Sequence, residues 1–153
     1  MPHVDEPQRY VPLPAYPHLS DEESRVWQRY MANNPARFFQ VYYDMRVGEG
    51  RNLPIDSDPT YQGAWWDLSR RRVDVIAEDQ EAVYIIELKQ TADFKAVMQA
   101  YGYAVLFRDN YPTDKLVVPV VLASHYNPDV KRIAKEIDVI CWDDQTTYPL
   151  VGQ

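Results

Sequence analysis

VDVIAEDQEAVYIIELKQ, residues 73–90, is the stretch on which the fold turns. Two apolar runs, rich in Val and Ile at alternate and adjacent positions, flank the polar turn EDQE at 78–81. Short runs of this composition, bounded by turn residues, read as strands covered on both faces, so the segment predicts a hairpin at the centre of a buried sheet. Yet Asp74 sits inside the first run, and Glu87 and Lys89 close the second. Charged groups withdrawn from water cost free energy unless something compensates them.

Strand alternation puts Glu87 and Lys89 on one face, together with Val83 and Ile85. Asp74 belongs to the neighbouring hairpin strand, and a register that sets it beside Glu87 brings two carboxylates into one poorly hydrated cleft. A divalent cation relieves their repulsion. Mg²⁺ suits this arrangement because it binds through one or two carboxylates and keeps other positions for substrate phosphates. Lys89, further along the same face, is placed to hold or deprotonate a water or to offset charge developing on a phosphate. The residue set points to metal-assisted hydrolysis of a phosphodiester.

Working outward, residues 1–19 carry Pro2, Pro7, Pro12, Pro14 and Pro17 and read as an extended Pro-rich arm with Tyr10, Val11, Leu13 and Tyr16 as apolar anchors. The arm has no core of its own, so its partner is its own domain or another subunit. SDEESRVWQRYMANNP reads as a helix opened by a Ser20–Glu23 capping box and stopped by Asn33, Asn34 and Pro35, with Val26, Trp27, Tyr30 and Met31 as its stripe. FFQVYYDMRV alternates, with Phe39, Val41, Tyr43, Met45 and Val47 on one side, the period of a half-buried strand. From about 48 to 69 the pattern dissolves into an irregular loop around Trp65 and Trp66.

After the hairpin, ADFKAVMQAYGYAVLF predicts a helix with Phe94, Val97, Met98, Tyr101 and Val105 facing the sheet. KLVVPVVLAS reads as a buried strand in which Pro119 calls for an irregularity or an edge position. NPDVKRIAKEI is a short helix opened by Asn127 and Pro128, and DVICW a last strand. The order α, β, β, β, α, β, α, β predicts an α/β three-layer sandwich on a mixed sheet, one domain over 20–153.

Composition sets limits on function. The 153 residues suit one domain with a real core, and a hydrophobic share of 46% with 13% aromatics belongs to a folded chain. No apolar run approaches a membrane helix and no leader pattern opens the chain, so the expectation is a cytoplasmic protein that avoids membranes. Cys141 is alone, excluding an internal disulfide, and His3, His18 and His125 form no cluster. Sixteen Lys+Arg against 23 Asp+Glu give a net charge of −7, so any contact with DNA must be local. Arg70, Arg71 and Arg72 are the one basic cluster.

VDVIAEDQEAVYIIELK resembles motifs II and III of the PD-(D/E)XK nuclease superfamily, with Asp74 as the first acid and Glu87-Leu88-Lys89 as the (D/E)-X-K. QAYGY adds Gln99 and Tyr103 in the Q-x-x-x-Y arrangement of the RecB-like branch, and the element order over 22–124 is similar to the superfamily's αβββαβ core. Val73 stands where the motif has Pro. The resemblance implies a restriction-endonuclease-like fold, a Mg²⁺- or Mn²⁺-dependent deoxyribonuclease, Asp74 and Glu87 as metal ligands and Lys89 as base or electrostatic stabiliser. It further implies Gln99 and Tyr103 standing one turn apart beside the site.

Plainer readings run alongside. Glu87 and Lys89 suit a salt bridge left in an inactive descendant, Gln99 and Tyr103 suit a pair bonded to each other, and Glu23 suits its cap. Arg70–Arg72 suit a solvated strand start, and Trp65 and Trp66 suit core anchors as well as a face for a base or another subunit. The acidic charge and the arm motivate a second class of function, a nuclease-fold assembly protein such as a bacteriophage virion or connector component, bound to neighbours through the arm and the Trp65–Trp66 loop and located in the virion.

Overall fold

The computed structural model describes residues 6–51, 66 and 69–147. Trp65 and most of the irregular 48–69 segment lie outside the described residues. The described elements are α1 (Asp21–Asn33), β1 (Gln40–Val47), β2 (Arg71–Glu78), β3 (Ala82–Ala92), α2 (Phe94–Asn110), β4 (Leu116–Tyr126), α3 (Pro128–Glu136) and β5 (Ile140–Asp143). This is the predicted order, and its first six elements are the αβββαβ series that the resemblance implies.

Hairpin connections make β1, β2 and β3 antiparallel, while the helical crossovers through α2 and α3 make β4 and β5 parallel to β3, giving one five-stranded mixed sheet in the order β1-β2-β3-β4-β5. β5 covers only Val120 to Ala123 of β4, so Pro119 lies where β4 is still an edge and its missing N–H disturbs no ladder.

Alternation along β3 and β4 divides the core. Tyr84, Ile86, Leu88, Val120 and Leu122 face α1, whose Val26, Trp27, Tyr30 and Met31 are all buried there. Val83, Ile85, Val121 and Ala123 face the opposite layer, formed by α2 and α3. The sandwich therefore has three layers, with Ser20 accepting the Glu23 amide at 3.1 Å to start α1 as the capping signal requires.

Two expectations about burial need correction. On α2 the buried residues are Ala96, Val97, Ala100, Ala104 and Phe107, while Phe94, Met98 and Tyr101 are exposed. Bulk misled the reading: parallel β4 approaches the helix closely, and the small alanines are what fit beneath it. On β1, Val41 and Tyr43 join the α1 side, but Met45 and Val47 join the α2 side although they share the same alternation. The reversal falls at Asp44, whose φ of 59° is a conformation that Asp tolerates better than most residues. The ladder pairs Tyr43 with Val75 and Met45 with Val73 but has no Asp44–Asp74 rung.

The arm is held by its own domain. Gln8 and Val41 exchange two backbone hydrogen bonds, Tyr16 is buried, and Tyr10 and Leu13 pack on the α1-side core. Val11 alone of the four expected anchors is exposed.

Candidate functional site

The β2–β3 register pairs Val75 with Ile86, and its next step sets Asp74 opposite Glu87. The two carboxyl groups meet within hydrogen-bond reach of one another, and Leu88 N–H donates to Asp74 Oδ2 at 3.0 Å. Glu87 is only 4% exposed. Its Oε1 is buried and accepts no hydrogen bond, a costly state for a carboxylate.

Electrostatics follow from this crowding. Burial is the largest influence on Asp74 and the charge of Glu23 adds to it; the Leu88 amide, the Glu87 carboxyl and Lys89 oppose them, and the net result is a carboxyl raised to about 6. Glu87, buried more deeply and facing the negative charge of Asp74, is raised well above the ordinary glutamate value. The two titrate as a pair, both raised chiefly by burial.

Lys89 is half-buried further along β3 and favours the ionised form of both acids, yet among the described residues it forms no direct ion pair with either. Its ammonium group is near the carboxyls without being docked on them. From α2, Gln99 Nε2 donates to Tyr103 Oη at 3.4 Å, one turn away. Tyr103 has its pKa raised, first by burial and then by the charge of Glu87, which puts its hydroxyl at the margin of the site. The structure thus brings Asp74, Glu87, Lys89 and Tyr103 together, and attaches Gln99 through Tyr103.

Three further residues border this site. Glu23 gives its backbone amide to Ser20, and its carboxylate charge acts on Asp74. Exposed Arg71 makes its positive charge felt at Tyr103. His18, from the arm, places Nε2 3.0 Å from the Asp74 carbonyl oxygen. The last contact joins residues 56 positions apart, and no local pattern announces it. Arg72 is committed elsewhere, bonded to Asp44 through two nitrogens, and Arg70 lies over the ring of Trp66.

Among the described residues no cluster of three or more His, Cys, Asp or Glu surrounds the pair. Two carboxyls, one with an orphaned oxygen, still fit a hard divalent cation of the Mg²⁺ kind, which takes few protein ligands and draws the rest from water and substrate. A third protein ligand is not required for that fit.

No family model and no curated protein matches the sequence. Among solved structures, the chain is similar to a repair endonuclease from Pyrococcus abyssi, at 18% identity and a TM-score of 0.42 over 69% of this chain and 40% of the other. It is also similar to a protein of unknown function, AF1548, at 15% identity and a TM-score of 0.45 over 76% of this chain and 56% of the other. The chain therefore spans about half the length of the structures it matches. Among the described residues no helix is long and apolar enough to cross a membrane.

Proposed function

We propose that this chain is a divalent-metal-dependent nuclease that hydrolyses phosphodiester bonds of DNA at the Asp74–Glu87 pair. The observation that carries the proposal is the pairing itself: two carboxyls share a buried corner in which one oxygen of Glu87 has no donor. Structural carboxylates are ordinarily given donors, whereas this pair is left with a deficit that a cation fills.

Asp74 and Glu87 would hold Mg²⁺ or Mn²⁺, which when bound supplies Lewis-acid polarisation of the phosphate and neutralises its charge. Lys89, near both acids and not paired to them, stabilises as its ammonium the charge that develops as the bond breaks or, once deprotonated, takes the proton of an attacking water. Tyr103, steadied by Gln99, offers a hydroxyl beside Glu87 to orient water or substrate. Arg71 supplies the local positive charge that a chain of net charge −7 needs to approach a phosphate backbone.

The experiment is cleavage of linear and circular DNA in Mg²⁺ or Mn²⁺ by the wild-type chain, Asp74→Ala and Lys89→Ala. Losing Lys89 should lower the rate by about 10²–10⁴-fold, the usual contribution of a proton-transfer group, and losing Asp74 should abolish turnover. Cleavage at the wild-type rate by both variants would remove the assignment. Comparing linear with circular substrate separates end-dependent from internal cutting.

A further inference from the structure

The Pro-rich arm does more than cover the core. Where the β1–β2 ladder skips the rung between Asp44 and Asp74, the Asp74 carbonyl oxygen is met by His18 Nε2 at 3.0 Å. A carbonyl only accepts, so Nε2 carries the hydrogen and donates. The imidazole lies 5.9 Å from the ring of Tyr43, which is itself fixed by accepting the Trp27 indole N–H at 2.9 Å and by an edge contact with buried Tyr16 at 5.4 Å. Upstream, the Gln8–Val41 backbone pair ties the arm to β1. His18 is therefore delivered to Asp74 by a segment pinned to β1 at Gln8 and again at Tyr16.

We propose that His18 is a positioning residue for the cation site: its bond to the Asp74 carbonyl fixes the backbone there, while the Leu88 amide fixes the Asp74 side chain, so that the carboxylate is aimed at Glu87. Two anchors on one residue are needed because this is the point at which β1 changes layers and gives β2 no ladder bond of its own. The inference rests on the reading of Asp74 and Glu87 as the cation-holding pair. It makes residues 6–19 part of the working site, with the arm acting through Asp74 and touching no substrate.

The test uses the full chain with His18→Phe, which keeps a ring against Tyr43 but has no donor, and His18→Gln, which restores an amide donor at similar reach. Amide hydrogen exchange of Leu88 reads the aim of the Asp74 carboxylate without any metal. Mn²⁺ binding followed by calorimetry reads the site directly. Loss of one hydrogen bond should speed Leu88 exchange and weaken Mn²⁺ binding by about 5- to 10-fold each in the phenylalanine variant. Both should return towards wild type with glutamine. Should His18→Phe not fold, His18→Met takes its place, matching glutamine in length without the donor.

Unchanged Leu88 exchange in the donor-less variant, or faster exchange that glutamine does not repair, would overturn the positioning role. Asp74→Asn serves as the separate control. Undiminished Mn²⁺ binding in that variant counts against the cation site itself, while the Leu88 exchange result continues to decide the role of His18.

Discussion

Asp74 and Asp79 lie on the same hairpin, and the protein treats them in opposite ways. Asp79, in the turn between β2 and β3, receives four donors: Arg37 Nη1 and Tyr84 Oη at 2.8 Å, and the amides of Glu81 and Ala82 at 2.9 Å. Partial burial raises its pKa, but these bonds outweigh that and hold it at about 2. Asp74 receives one backbone donor and faces a second acid, and it is raised to about 6. One carboxylate is supplied with everything its charge requires. The other shares with Glu87 the deficit on which the proposed cation site rests.

The strongest test of this contrast is Asp79→Asn. It removes the carboxylate charge bonded to the guanidinium of Arg37, which is only 6% exposed and stacked over Phe38, Tyr84 and Trp142. Breaking such a pair from one side should cost about 2–3 kcal/mol at pH 7, measured by urea or thermal unfolding. The pH dependence has a definite sign. A carboxyl depressed in the folded state stabilises above its unfolded pKa, near 3.8, and that stabilisation disappears as pH falls towards about 2. The wild-type chain should lose stability across that window more steeply than Asp79→Asn does.

Asp74→Asn should do the reverse. In the absence of divalent cations the amide keeps an acceptor for Leu88 and removes the repulsion between two buried acids, so the variant should be more stable than wild type, by on the order of 1 kcal/mol at pH 7.5. Because Asp74 is raised to about 6 in the folded state, the wild-type chain loses this part of its stability as pH climbs from about 4 through about 6, and Glu87, raised as well, acts in the same direction. Mn²⁺ should return it to the wild type and not to the variant. A destabilised Asp74→Asn in metal-free buffer would erase the distinction between the two acids.

The sequence displays the same contrast only in part. Asp74, Glu87 and Lys89 stood out because an apolar strand leaves a charge nowhere to hide; strand period put Glu87 and Lys89 on one face, and the register that sets Asp74 beside Glu87 came only with the fold. The reading of α1 succeeded because cap, stripe and stop signals agreed. On α2 they did not: Phe94, Met98 and Tyr101 have helical spacing, but the face that packs is chosen by how the sheet, including β4 from Leu116 onward, approaches the helix. Asp44 gave no warning that it would reverse the faces of β1. His18 and Arg71 were visible as residues and invisible as neighbours, since only the folded arm and the twisted strand end bring them to Asp74 and Tyr103.

A smaller effect extends the comparison from acids to arginines. Arg72 is bonded to Asp44, whereas no described carboxylate lies within ion-pair reach of Arg71, whose charge instead acts on Tyr103. If uncompensated groups are the ones kept for substrate, Arg71→Ala should raise KM for DNA severalfold with kcat nearly unchanged, and reduce the slope of log affinity against log salt by about 1, the signature of one lost phosphate contact. Arg72→Ala should leave both near wild type and lower stability by no more than about 1 kcal/mol, because an exposed pair contributes little. Equal KM effects from the two would show that the basic cluster acts as a diffuse patch. A loss confined to Arg71 would mean that the phosphate backbone passes the α2 side of β2, within reach of the Tyr103 hydroxyl and of Lys89.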